Sequence, residues 1–303
     1  MWLSLAFTSA ALLGLYDAAK KKALTGNAVL PVLLLNTFFC SLFFLPAILS
    51  AECGFGWFDG TVLESSCGTL RAHGLVVLKS AIVLTSWIFG YFGMKHLPLT
   101  IVGPINATRP VLVLLGALLI FGERLNLLQW VGILLGFASL YFIARIGSRE
   151  GFSLKHSRWL WMAIGATVLG AVSALYDKFL LQYYRPTDVQ AWYSLYQCII
   201  MTATLLILRR CSPAMRRESG GFRWRWTIPF ISVFLTVADL AYFYSLSIDG
   251  AMISVISMVR RGSVIVPFIY GVLVLHEKNV RAKAVDLGVL FLSLILLVIG
   301  SQQ

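Results

Sequence analysis

The sequence predicts an all-α membrane protein: ten transmembrane helices arranged as two inverted-topology repeats of five. Three observations predict it. The 303 residues are 59% hydrophobic and only 13% charged, with a mean hydropathy of +0.83, whereas a soluble domain carries about 25% charged residues. The apolar residues fall into runs long enough to cross a hydrocarbon core of about 30 Å as helices. Short motifs of the first half recur in the second half in the same order.

The spans read, in order, 2–22, 28–50, 74–96, 98–122, 126–146, 158–182, 188–209, 225–248, 251–276 and 280–300. Periodicity helps little, because helices buried in lipid and protein are apolar all round; length and charged punctuation set the limits. Span one, MWLSLAFTSAALLGLYDAAKKK, carries its lysines after the apolar run rather than before it. That is the wrong order for a signal peptide, so it reads as a helix. Span three holds Lys79 near its outer end, where a lysine can snorkel or line a site. Span four carries Arg109 at mid-depth between Pro104 and Pro110, and a proline there breaks or kinks the helix. In spans five and six, Gly132, Gly136, Gly165 and Gly170 suggest close helix packing rather than chemistry. Span eight holds Asp239 near mid-depth. Span nine, AMISVISMVRRGSVIVPFIYGVLVLH, holds the pair Arg260-Arg261, followed by Gly262 and Pro267, which weaken the helix locally.

The basic residues report topology. Loops after odd-numbered spans hold 17 Lys and Arg, and loops after even-numbered spans hold 3. This bias places the first set in the cytoplasm and both termini outside, together with the acidic loop 51–73. The net charge of +12 is therefore explained by orientation, and no nucleic-acid motif accompanies it. An oxidising exterior would allow a disulfide between Cys53 and Cys67. Cysteines and histidines show no metal-ligand spacing, and neither a metal nor another cofactor is expected.

The repeat divides the chain into residues 1–148 and 149–303. Leu15-Tyr16-Asp17 recurs as Leu175-Tyr176-Asp177, and GALLIFGER (116–124) recurs as GVLVLHEK (271–278). Gly132 and Gly136 correspond to Gly288. Five spans per half turn the second half upside down, so a substrate site is expected near the midplane between the halves. Two five-helix repeats, each ending in a G-x-L-L-x-x-G-E-[RK]-like hairpin, resemble the EamA branch of the drug/metabolite transporter superfamily over essentially the whole chain. The stretch Val259–Val266 is similar to the ninth helix of the triose-phosphate and sugar-phosphate translocators. Arg260 stands where those have lysine, and Gly262 where valine is usual. The resemblance implies a transporter, and for span nine a contact with phosphate.

Charges inside a membrane are expensive, by about 2.5–3.5 kcal/mol at a helix centre, and are functional by default. Lys79, Arg109, Lys178, Arg260 and Arg261 face Asp17, Asp177 and Asp239, which leaves two positive charges in excess. Arg109, Arg260 and Arg261 form the candidate substrate site, joined by Asn106 one turn before Arg109, by Lys79, and by Tyr242 and Tyr244 near Asp239. Adjacent arginines point about 100° apart, so one is expected to face the substrate and the other to pair with Asp239. Asp239 reads as a pairing or proton-coupling carboxylate. Asp17 is expected to pair with Lys20 or Lys21. Asp177 and Lys178 are expected to pair locally or to gate the outer end. Glu123 and Glu277 read as structural carboxylates ahead of helix N-termini.

These residues point to a secondary transporter of a small organic anion, phosphorylated or carboxylated, in a bacterial cytoplasmic membrane. A neutral or zwitterionic substrate such as an amino acid, with structural arginines, is the alternative. A membrane enzyme fits poorly, since no cluster of catalytic acids or metal ligands lies near an interface. The expected partners are the lipid bilayer, the small-molecule substrate and a second copy in a homodimer; nucleic acid is not one.

Overall fold

The computed structural model describes residues 1–66, 68–96, 105–106, 108–148, 158–211, 221–264, 266 and 280–300. Among them are ten α-helices and no strand: α1 Trp2–Leu24, α2 Val29–Cys53, α3 Leu70–His96, α4 Arg109–Ile120, α5 Leu127–Ser148, α6 Arg158–Leu181, α7 Pro186–Cys211, α8 Thr227–Ser247, α9 Ile253–Arg261 and α10 Val280–Gly300. Each falls on one predicted span. Helices α1, α2, α3, α6, α7 and α8 are long and apolar enough to cross a membrane. Cys67, Pro104, Pro267 and the second hairpin with Glu277 lie outside the described residues.

Local chemistry fixes the helix ends. Helix α2 stops at Gly54, whose φ of 69° suits a residue without a side chain and whose N–H returns to the Ser50 carbonyl. Helix α5 begins in a reciprocal capping box: the Gln129 N–H donates to Asn126 Oδ1 at 2.9 Å, and the Asn126 N–H donates to Gln129 Oε1 at 3.0 Å. Pro186 opens α7, where its missing donor costs nothing. Helix α9 ends after nine residues, at Arg261, and Gly262–Val264 continue as a 3-10 turn. This is the local weakening expected at Gly262.

Helix α1 packs on α8 and α3 on α6, while α2 lies on α7, α5 on α10 and α4 on α9. Secondary contacts join α3 to α7, α2 to α8, α4 to α6 and α1 to α9. Hydroxyls stitch the two largest seams: Ser9 donates to the Ala238 carbonyl and Ser86 to the Ala166 carbonyl, both at 2.7 Å. Gly132 lets α5 approach α10 closely enough for Ser293 to donate to its carbonyl at 2.6 Å. Among the described residues, its repeat partner Gly288 has nothing within 4 Å of where a Cβ would lie.

The two ends of the bundle differ in how they are closed. At one end, Asn27 donates to the Arg223 carbonyl at 2.8 Å, Arg225 donates to the Lys22 carbonyl, and His96 stacks on Trp159 with centroids 3.8 Å apart. At the other end, the loop after α2 is tied down. Arg185 contacts Glu64 at 2.7 Å and Asp188 at 3.1 Å, and the Ser66 N–H donates to Asp188 at 2.7 Å. The Arg185 guanidinium hydrogen-bonds the Glu64 carboxyl and holds it below its ordinary range.

Candidate functional site

The buried charges form a column through the middle of the bundle. At the end nearest the α2–α3 loop, Gly122 takes a φ of 61°, a left-handed turn that directs Glu123 back across the bundle. Glu123 accepts from the Ile253 N–H at 2.8 Å, the Ser254 N–H at 3.3 Å and the Ser254 hydroxyl at 2.5 Å. It therefore caps α9, a helix of the other half, rather than the helix that follows it in sequence. Lys178 closes the arrangement, contacting Glu123 at 2.7 Å and donating to the Ala251 carbonyl at 2.9 Å.

Beside Lys178 on α6, Asp177 is ion-paired with Lys79 of α3, and both are buried. The ammonium also lies 4.6 Å from the centre of the Tyr193 ring and 4.3 Å from that of Phe243. Lys79 thus does not snorkel to an interface; a carboxylate and two ring faces replace water around it. Neither Asp177 nor Lys178 pairs within its own helix turn, and each instead reaches a different segment.

Below this level Arg260 Nη2 donates to Asp239 Oδ1 at 2.9 Å, with the guanidinium 4.0 Å over the Tyr242 ring. This is the expected division of the arginine pair: one member meets Asp239. Arg261, one residue on, turns elsewhere and lies within electrostatic reach of Arg109 and Arg260, with Asp17 the carboxylate that acts on it. Arg109 and Arg261 are half-buried, and among the described residues neither has a carboxylate within ion-pair distance. The Nε of each is buried and has no hydrogen-bond partner among the described residues. At the far end of the column Asp17 pairs with Lys20 at 2.7 Å, as its spacing predicted, and Lys20 lies 4.3 Å over the Tyr16 ring.

Asn106 accepts from the Thr167 hydroxyl at 3.1 Å and so sits in the seam between α4 and α6. Tyr242 belongs to the arginine cluster, but Tyr244 does not. Two residues on, it points to the opposite side of α8, where its hydroxyl meets Thr187 at 3.0 Å and the Val62 carbonyl at 3.1 Å. Cys53 is exposed at the end of α2, and its expected partner Cys67 lies outside the described residues. The sequence reading missed Thr167 and Phe243 and set Tyr193 aside, since a residue of those types in an apolar helix reads as packing. It also missed a cavity of about 200 Å³ beneath the α2–α3 loop, lined by Thr69, His73, Tyr184, Asp188 and Trp192 among others. No motif marks that cavity, which exists only because the loop folds over α3 and α7.

A helical bundle with six membrane-length helices and a column of paired charges defines a polytopic membrane protein with a charged interior. Residues 1–145 match the EamA-like transporter family; the matched stretch runs from α1 to near the end of α5. No curated protein matches the chain. A solved structure described as "Crystal structure of protein" superposes with a TM-score of 0.71 at 14% identity, over 100% of this chain and 98% of that one. At that identity the likeness is one of fold.

Proposed function

We propose that this chain is a secondary transporter of the drug/metabolite type that moves a small organic anion by alternating access. The family match of the first half and the repeated motifs support the transporter class. The helix contacts support two inverted repeats. Exchanging each helix with the one five places away turns α1–α8 into α6–α3, α3–α7 into α8–α2 and α4–α6 into α9–α1, so the larger contacts map onto one another. A pseudo-two-fold in the membrane plane has this property. It groups α1, α8 and α9 against α3, α4 and α6, two bodies that can rock about the charged column.

The observation that carries the substrate class is the pairing pattern. Asp239 neutralises Arg260, Asp177 neutralises Lys79 and Glu123 neutralises Lys178, which leaves Arg109 and Arg261 as cations without a carboxylate partner among the described residues. Two half-buried guanidinium groups, one from each body, are suited to share a phosphate or carboxylate, since their planar forks bind such groups through paired hydrogen bonds. The likeness of Val259–Val266 to phosphate-binding helices favours a phosphorylated substrate. The charge bias of the loops favours an orientation with both termini outside.

Uptake into proteoliposomes, measured for phosphorylated, carboxylated and neutral metabolites, tests this reading. Arg109→Gln and Arg261→Gln are expected to abolish anion uptake while leaving the thermal stability of the purified protein near that of the parent. Arg260→Gln is expected to lower stability by stranding Asp239, and an added Asp239→Asn to restore part of it. If the parent takes up neutral or zwitterionic metabolites but no anion, and Arg109→Gln and Arg261→Gln do the same, the arginines are structural and the substrate is neutral or zwitterionic.

A further inference from the structure

We propose that Gly170 is a positioning residue for Arg109: its missing side chain makes the recess in α6 that holds the guanidinium in the substrate site. The proposal rests on the reading of Arg109 as an anion-binding group and adds a residue that sets where that group lies.

Helices α4 and α6 run side by side, and their seam is built in rungs. Thr167 meets Asn106. Three residues further along each helix, Gly170 meets Arg109. Further still, a Cβ on Gly116 would fall 2.2 Å from Leu175 Cδ1. At the middle rung, a Cβ on Gly170 would lie 2.4 Å from Arg109 Cζ, 2.5 Å from Nη2 and 2.6 Å from Nε. Ordinary contact needs about 3.5 Å. The guanidinium therefore lies against the α6 backbone, with its buried Nε facing the helix.

The atoms that a methyl group would meet decide what Gly170 does. At Gly14 a Cβ would strike the Ser263 carbonyl oxygen at 2.6 Å, a backbone atom that cannot move without the helices moving. Gly14 is thus a packing glycine. At Gly170 the three nearest atoms all belong to the end of a flexible side chain. An alanine there would leave the helices in place and expel the guanidinium. In a helix interior alanine is also intrinsically favoured over glycine. Gly170→Ala should therefore leave the fold intact and spoil the site, the reverse of what a packing glycine does.

The test compares the parent with Gly170→Ala, Gly14→Ala and Arg109→Gln as purified proteins in detergent. Three quantities are read: melting temperature, the stabilisation produced by inorganic phosphate, and the rate at which phenylglyoxal labels Arg109, mapped by peptide mass spectrometry. Gly170→Ala is expected to melt at or above the parent temperature. It should need about tenfold or more phosphate for the same stabilisation, the loss of one charge-assisted hydrogen bond. Arg109 should label several-fold faster, because its Nη2, which in the parent lies against the α6 backbone, is uncovered. Gly14→Ala should melt lower. The proposal is overturned if Gly170→Ala leaves the Arg109 labelling rate unchanged, or if it lowers the melting temperature as Gly14→Ala does. Labelling decides the position of the guanidinium whether or not phosphate binds. If Arg109→Gln responds to phosphate as the parent does, the anion reading fails, and with it the functional role given to Gly170.

Discussion

Lys79 is 1% exposed, and its environment shows what a charge inside the bundle requires. An unpaired lysine at the centre of a membrane helix costs about 2.5–3.5 kcal/mol. Asp177 offsets that cost directly, and the Tyr193 and Phe243 rings turn their electron-rich faces toward the ammonium. A buried pair of this kind contributes little net stability, yet breaking it is costly, by about 3–5 kcal/mol, because the remaining charge is stranded. The expected pattern is therefore non-additive. Lys79→Met and Asp177→Leu should each lower the melting temperature of the purified protein markedly, and the double variant should be more stable than either. Thermal unfolding followed by tryptophan fluorescence measures this; a double variant as unstable as the two losses added together would show that the residues do not act as a pair.

Helix α9 has nine residues, too few to be stable alone. Its sides are held by burial of Ile253, Val255, Ile256, Met258 and Val259, which point all round the helix. Its first turn is held by Glu123, which satisfies two backbone donors from across the bundle, and Lys178 holds that carboxylate in place. Because α9 carries Arg260 and Arg261, this cap also fixes their position. Glu123→Ala should remove a cap worth about 0.5–2 kcal/mol. Amide exchange across 253–258 should then quicken by about a factor of 10, while exchange in α2 and α7, far from the cap, stays as in the parent. Unchanged exchange in 253–258 would mean that burial alone orders α9.

For the molecule as a whole, topology follows from the distribution of charge. The ends of α1, α3 and α7 and the beginnings of α6 and α8 carry the basic residues. Contacts such as Asn27 with Arg223 and His96 with Trp159 gather these ends on one side. With that side in the cytoplasm, reporter fusions at the C-terminus and at residue 217 should give opposite signals, the first external and the second cytoplasmic. A cytoplasmic C-terminus would reverse the orientation but leave the pairing of the helices untouched.

The positions of the ten described helices were legible in the sequence, and for six of them the reason is that a membrane span must be long and apolar whatever it packs against. Short-range electrostatics were legible too: Asp17 and Lys20, one turn apart, pair as their spacing requires. So was the pairing of one of the two arginines with Asp239, since about 100° of helix rotation cannot aim both side chains at one carboxylate. Partners across the bundle were not. Nothing local says that Asp177 should meet Lys79, 98 residues away, rather than Lys178 beside it. Nor does anything local say that Glu123 should cap a helix 130 residues further on. Those choices depend on which apolar faces meet, and faces that are apolar all round carry no periodic signal to predict it. The same holds for Gly170, whose sequence context is that of any packing glycine; only the approach of Arg109 to its bare Cα distinguishes it.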